Sequence, residues 1–298
     1  MSRRLTHTIY RRQERAAWMF LGPGLLLLTL FTAWPLVRTV YLSLTDYNLL
    51  SPPEWVGLEN YRDLLTDAQV TNAFGNTVLY AVVVTPVTIA LALVFALALN
   101  ERFFARTFVR TAVFVPFVVS LAVVSIAFRF LLDPNYGLVT YWLSAIGLAP
   151  QQGALAQPHT AMAAVMLVGV WKNVGFYMVM FLAGLQSIPR ELYEAAALDG
   201  ANRLQKFRAV TFPLLSNQTM LVSILAAIAS FQVFDQIKVM TNGGPAMSTE
   251  TLVVLVNRVG INNLEFGYGA AVSILLLVLI LILSLAQYLY FGRRQVRN

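Results

Sequence analysis

The chain has 298 residues and a formal net charge of +7, with 58% hydrophobic and only 12% charged residues and a mean hydropathy of +0.67. Soluble domains carry roughly 25% charge, so this composition excludes an ordinary soluble enzyme and places the chain in the membrane class. With no cysteine, disulfides and thiolate metal centres are excluded; His7 and His159 stand far apart, and no GxxxxGK[ST] phosphate loop occurs.

A helix needs roughly 20 apolar residues to cross about 30 Å of hydrocarbon. Six stretches qualify in chain order, at about residues 16–40, 76–100, 107–131, 160–186, 209–237 and 266–292. The first follows Arg11, Arg12 and Arg15 as a signal peptide would. It is longer than a signal core and lacks a small-x-small cleavage pattern, so a retained helix is expected. The expected fold is an all-α integral membrane protein of six transmembrane helices, a single domain over residues 1–298.

Basic residues assign the sides. Arg3, Arg4, Arg11, Arg12 and Arg15 precede the first span, and Arg102, Arg106 and Arg110 join the second to the third. Arg190, Arg203, Lys206 and Arg208 join the fourth to the fifth, and Arg293, Arg294 and Arg297 close the chain. The opposite loops hold only Arg62 and Arg258. Both termini are therefore expected in the cytoplasm, and the excess positive charge needs no nucleic acid to explain it. Among the outer loops, Thr241-Asn242-Gly243-Gly244-Pro245 is strong turn chemistry. Residues 249–259 after it are helix-like but too short to cross.

The cytoplasmic segment at about 187–212 reads as a helix–turn–helix. Pro189 suits a helix start, residues 190–198 are good helix formers, and Gly200 supplies a left-handed stop. Asn202 caps a second helix over 203–210, and Pro213 is expected in the first turn of the fifth span. Read by composition, the segment is equally an ordinary loop whose basic residues enforce topology.

Its spacing is more specific. Glu194-Ala195-Ala196, then Gly200, Val210, Phe212 and Pro213 resemble the cytoplasmic coupling loop of ATP-binding-cassette importer permeases. The family usually has Ile and Leu at Val210 and Phe212, and a second proline where this chain has Asn217. Val56-Gly57-Leu58-Glu59-Asn60-Tyr61, residues 186–193 before the Glu-Ala-Ala, and Phe234-Asp235 with the 241–245 turn are similar to the carbohydrate-uptake branch. The resemblance implies a prokaryotic cell-membrane subunit that imports a sugar, glycerol 3-phosphate or its diesters. It implies Glu194, Ala195, Ala196, Asp199, Gly200, Arg203 and Pro213 as residues that couple to a separate dimeric ATPase. It further implies a second homologous permease, an external solute-binding protein, and ATP with Mg2+ used by the partner ATPase rather than bound here.

Polar groups within the spans are the candidates for the path. Lys172, between Trp171 and Asn173, lies midway along the fourth span, where a charge costs at least roughly 2.5–3.5 kcal/mol. It is read either as a substrate contact, suited to an anionic polyol, or as a packing cation paired with a carbonyl or acid. Gln232 and Asp235, three apart near the outer end of the fifth span, are expected to share a helix face. Asp235 either pairs with Arg129 or accepts sugar hydroxyls, and Phe231 and Phe234 are candidates for stacking on a sugar. No nucleophile–base constellation points to an enzyme. The rival class is an ion-coupled secondary transporter or channel, which usually places several acids within its spans.

Overall fold

The computed structural model describes residues 17–101, 103–147 and 153–295, with side chains through residue 291. The N-terminal arginines, Arg102, Arg297 and the side chains of Arg293 and Arg294 lie outside the described residues.

Helix α1 (Ala17–Leu42) is apolar but for Arg38 and three threonines and is mostly exposed; its C-terminal half packs on the last helix. A tight loop follows, in which β1 (Thr45–Asp46) pairs antiparallel with β2 (Glu54–Trp55), a two-residue ladder that an all-α expectation misses. The Asn60 amide donates to the Ser43 and Thr45 carbonyls at 3.0 Å each, so this ladder is pinned to α2 (Glu59–Thr66). Asp67 then caps α3 (Ala68–Asn100), accepting from the Gln69 amide at 2.7 Å. At 33 residues, α3 is about 50 Å long at 1.5 Å per residue, and it begins eight residues before the expected 76.

The expected third span is not one helix. Helix α4 (Arg106–Val118) and α5 (Leu121–Leu131) meet at 97°. Among the described residues five helices are long and apolar enough to cross, and six if this bent pair is counted as one broken span. After α6 (Leu138–Ala145), helix α7 (Pro158–Gln186) is the central element, with over half of its apolar window buried, chiefly against α3 and α4. Gly175 allows the second of these contacts: a Cβ there would collide with the Val113 carbonyl and the Phe114 backbone.

Next come α8 (Arg190–Leu198) and α9 (residues 203–214), which runs through a π turn at Phe207–Thr211. The fifth span starts at Ser216 rather than 209, so Pro213 stands in the last turn of α9 and not in the span. That span is itself interrupted: α10 (Ser216–Phe231) gives way to α11 (Asp235–Met240) across three non-helical residues. The Val233 carbonyl left without a helical donor accepts from Thr251 Oγ1 at 3.2 Å. Helices α12 (Leu252–Asn262) and α13 (Phe266–Gln295) complete the chain.

The loop between α11 and α12 is fastened to the N-terminal end of α3. Asn72 and Asn76 donate to the Met247 carbonyl at 2.8 and 3.0 Å, and Asn76 also to that of Glu250 at 3.0 Å. The buried Glu250 carboxylate takes the Arg258 guanidinium in a two-point grip at 2.7 and 3.0 Å, and Arg258 reaches on to Gln69 Oε1 at 2.8 Å. The Glu250 hydrogen bond pushes the Arg258 pKa up, so this link stays charged at any physiological pH.

Gly175→Val should lower the unfolding midpoint in detergent by several degrees, because overpacking costs about 1–3 kcal/mol. Gly22→Val in α1, where a Cβ meets nothing within 4 Å, should leave it unchanged. Thermal unfolding of the two variants side by side checks this.

Candidate functional site

Near mid-depth, α3, α7 and α10 bring hydroxyls and amides together in an otherwise apolar core. A cavity of about 20 Å³ is lined by Tyr80, Thr85, Thr88, Asn173, Tyr177 and Ser230. Thr85 Oγ1 donates to Ser230 Oγ at 3.0 Å, and Asn173 Nδ2 to the Gly169 carbonyl at 2.8 Å. Thr88 is 1% exposed, and its Oγ1 has no partner. A buried hydroxyl without a partner costs about 1–3 kcal/mol, so this seam holds unspent hydrogen-bonding capacity. Just outside it, Gln236 Nε2 donates to the Val165 carbonyl, and Tyr80 Oη reaches Gln236 Oε1 at 3.4 Å.

Of the residues expected in a path, only Asn173 lines this seam. Lys172 is buried at 6% exposure, and Nζ donates to the Phe117 and Val119 carbonyls at 2.6 and 2.7 Å. The carbonyl-paired reading of Lys172 is the one that the geometry matches. Trp171 is 43% exposed and meets the Phe128 ring edge-on at 5.2 Å. Gln232 and Asp235 are both exposed, and the helix break between them removes the shared face expected from their spacing. Asp235 and Arg129 form no ion pair; among the described residues the one ion pair is Arg258–Glu250. Phe231 is 5% exposed and packed in the core with Leu252 and Leu255, so it cannot stack on a ligand, and Phe234 is half-buried. Thr85, Thr88, Tyr177 and Ser230 escaped a scan for charge. The signal that would have found them is hydroxyls recurring on the middle turns of apolar spans.

Between α7 and α10 the helix–turn–helix forms as its residues dictate. Helix α8 ends in a Schellman motif: the Ala201 amide bonds to the Ala196 carbonyl at 2.9 Å and the Gly200 amide to that of Ala197 at 3.1 Å. Gly200 has φ +76, the left-handed conformation that a side chain resists, and Asp199 is the last residue before the turn. Asn202 and Gln205 cap α9 reciprocally, at 3.0 and 2.7 Å. Helix α8 has no buried residue: Glu194, Ala195 and Asp199 are exposed, Ala196 is half-buried, and Leu198 is 91% exposed. Arg203 is exposed as well, and Pro213 is half-buried. The loop is tied back to the spans by Tyr193 Oη and Thr211 Oγ1 at 3.0 Å, with Ile188 and Leu215 in the inner core.

Against known proteins, residues 88–296 match the family model described as "Binding-protein-dependent transport system inner membrane component". The trehalose/maltose transport system permease protein MalF of Thermococcus litoralis is 33% identical over 91% of this chain and 92% of its own. The sn-glycerol-3-phosphate transport system permease protein UgpA of Agrobacterium fabrum is 32% identical over 85% of this chain and 87% of its own. A crystal structure of a bacterial ABC transporter involved in the import of the acidic polysaccharide alginate superposes with a TM-score of 0.81 at 25% identity, covering 97% of this chain and 99% of the other. The six-span reading and the permease resemblance are thereby borne out, and the chain is a multi-pass membrane protein. A match over more than half of its length places it plainly: the chain belongs to the family of binding-protein-dependent transport system inner membrane components.

Proposed function

We propose that the chain is one of two homologous permease subunits of an ATP-driven importer for a carbohydrate or polyol phosphate, working with a dimeric cytoplasmic ATPase and an external solute-binding protein. The single observation that carries this reading is α8, a nine-residue helix with no buried residue on an otherwise lipid-adapted chain. A helix with Leu198 91% exposed is stabilised mainly by what covers it. Small side chains at Ala195–Ala197 let a cleft close around it, and Glu194 and Arg203 supply flanking charges. Helix α8 and both termini lie, in this reading, on the cytoplasmic side, which the excess of basic residues in those segments supports.

In this reading the chain is a translocation subunit and not an enzyme, and ATP with Mg2+ belongs to the partner. The mid-membrane seam is the part of the path that this subunit contributes. Thr85, Thr88, Asn173, Tyr177 and Ser230 are the hydroxyl and amide partners that a polyhydroxylated solute requires. At about 20 Å³ the cavity admits roughly one water and no sugar, so solute enters only after the helices part. The ion-coupled alternative gains nothing: among the described residues no carboxylate is buried in a span, Glu250 lying in the outer loop with Arg258.

Gly200→Asn should keep coupling, because Asn tolerates the left-handed conformation, whereas Gly200→Val should weaken it by about 1–2 kcal/mol of backbone strain. Co-purification of the ATPase subunit and ATP hydrolysis per assembled complex read this out. Equal hydrolysis in the Val variant and the wild type would count heavily against a coupling role for the turn.

Thr88→Val removes the unpartnered hydroxyl at constant shape. Its thermal stability should hold or rise by up to about 1 kcal/mol, since the buried group's desolvation cost disappears. Uptake of whichever solute the binding protein delivers should fall severalfold. Undiminished uptake would take Thr88 out of the path.

A further inference from the structure

The bend between α4 and α5 exposes a problem that the chain solves with one charge. The last carbonyls of a helix lack intrahelical donors, and in hydrocarbon no water replaces them. Phe117 and Val119 flank the end of α4, and both of their carbonyls accept from Lys172 Nζ, at 2.6 and 2.7 Å. A cation at a helix C-terminus also meets the negative end of the backbone dipoles. The ammonium lies 5.2 Å from the centre of the Phe117 ring, a further favourable contact. No carboxylate stands within ion-pair distance of Lys172 among the described residues.

One helical turn further along α7, on the same face, Phe176 stacks on Phe117 at 4.4 Å. Gly175 lets α7 approach the α4 backbone. The end of α4 is thus clamped on α7 by a ring stack, a close backbone approach and an ammonium, while α5 leaves at 97°. We propose that Lys172 is the positioning residue of this break, holding the angle between α4 and α5 through the two carbonyls, and is not a ligand for the cargo. Its consequence for transport rests on the importer reading above, since a permease must move its spans between two accessibilities. The geometry of the clamp does not depend on that reading.

The chain contains no cysteine, so Ser120→Cys places a unique thiol at the exposed N-cap residue of α5, inside the break. Maleimide labelling of this thiol in membranes holding the whole transporter reports water access to the break. Adding Lys172→Met should speed labelling severalfold through wider access to the break, a gain that must exceed the slowing expected from losing a cation that favours the thiolate. Lys172→Arg, which still donates to carbonyls, should return the slow rate, and Lys172→Gln should fall between. A Gly22→Cys thiol in exposed α1 should label equally in all backgrounds, which separates local opening from misfolding. Basal ATP hydrolysis, measured without cargo, should rise severalfold in Lys172→Met and return with Arg. Identical labelling at residue 120 in the Met, Gln and wild-type backgrounds would overturn the proposal, as would a loss of the slow rate with Arg as complete as with Met. If no ATPase co-purifies with the wild type, the importer reading fails while the labelling series still tests the clamp.

Discussion

A bilayer leaves no backbone carbonyl unattended, and the architecture of this chain follows from where it breaks its helices and what it supplies at each break. Continuous helices satisfy their own backbones at no further cost. The third and fifth spans do not stay continuous, and each draws a donor from elsewhere in the fold. Lys172 of α7 serves the end of α4, and Thr251, at the head of α12, serves Val233 between α10 and α11. The helices that donate are therefore held in register with the helices that bend. Close packing of α7 on α3 and α4 brings Lys172 within reach, and packing of α12 on α3 and α13 places Thr251.

Charge and polarity play different parts in this membrane core. The expensive group, Lys172, is consumed by the backbone. Two of the three donors of its ammonium are engaged by the Phe117 and Val119 carbonyls. The inexpensive groups are the hydroxyls and amides of Thr85, Thr88, Asn173 and Ser230, and of these Thr88 alone is left without a partner.

The positions of the spans were legible because hydropathy over 20 residues overwhelms local detail. So was the turn at Gly200, since a left-handed residue after a run of alanines has few other uses. The breaks were not. Pro86 sits inside α3 without ending it, and Pro116 lies two residues before the end of α4, so a proline alone does not announce a bend. The spacing of Gln232 and Asp235 misled because periodicity assumes a helix that here stops at Phe231. Lys172 drew attention as a rare charge, but its partners are carbonyls, which every sequence has and none advertises. Thr88 escaped notice for the opposite reason: threonine is ordinary in a membrane helix, and only the missing partner sets it apart.

The π turn at Phe207–Thr211 bears on how α9 meets the fifth span. A π turn carries one residue more than an α turn, equivalent to about 100° of rotation along the helix. Such a bulge can migrate only by passing hydrogen bonds from one amide to the next, and Pro213 has no amide to pass. The proline therefore bars the extra residue from moving on toward α10, while its route back toward Asn202 carries no such block. The offset with which α9 meets Leu215, where it gives way to α10, is thus held from one side.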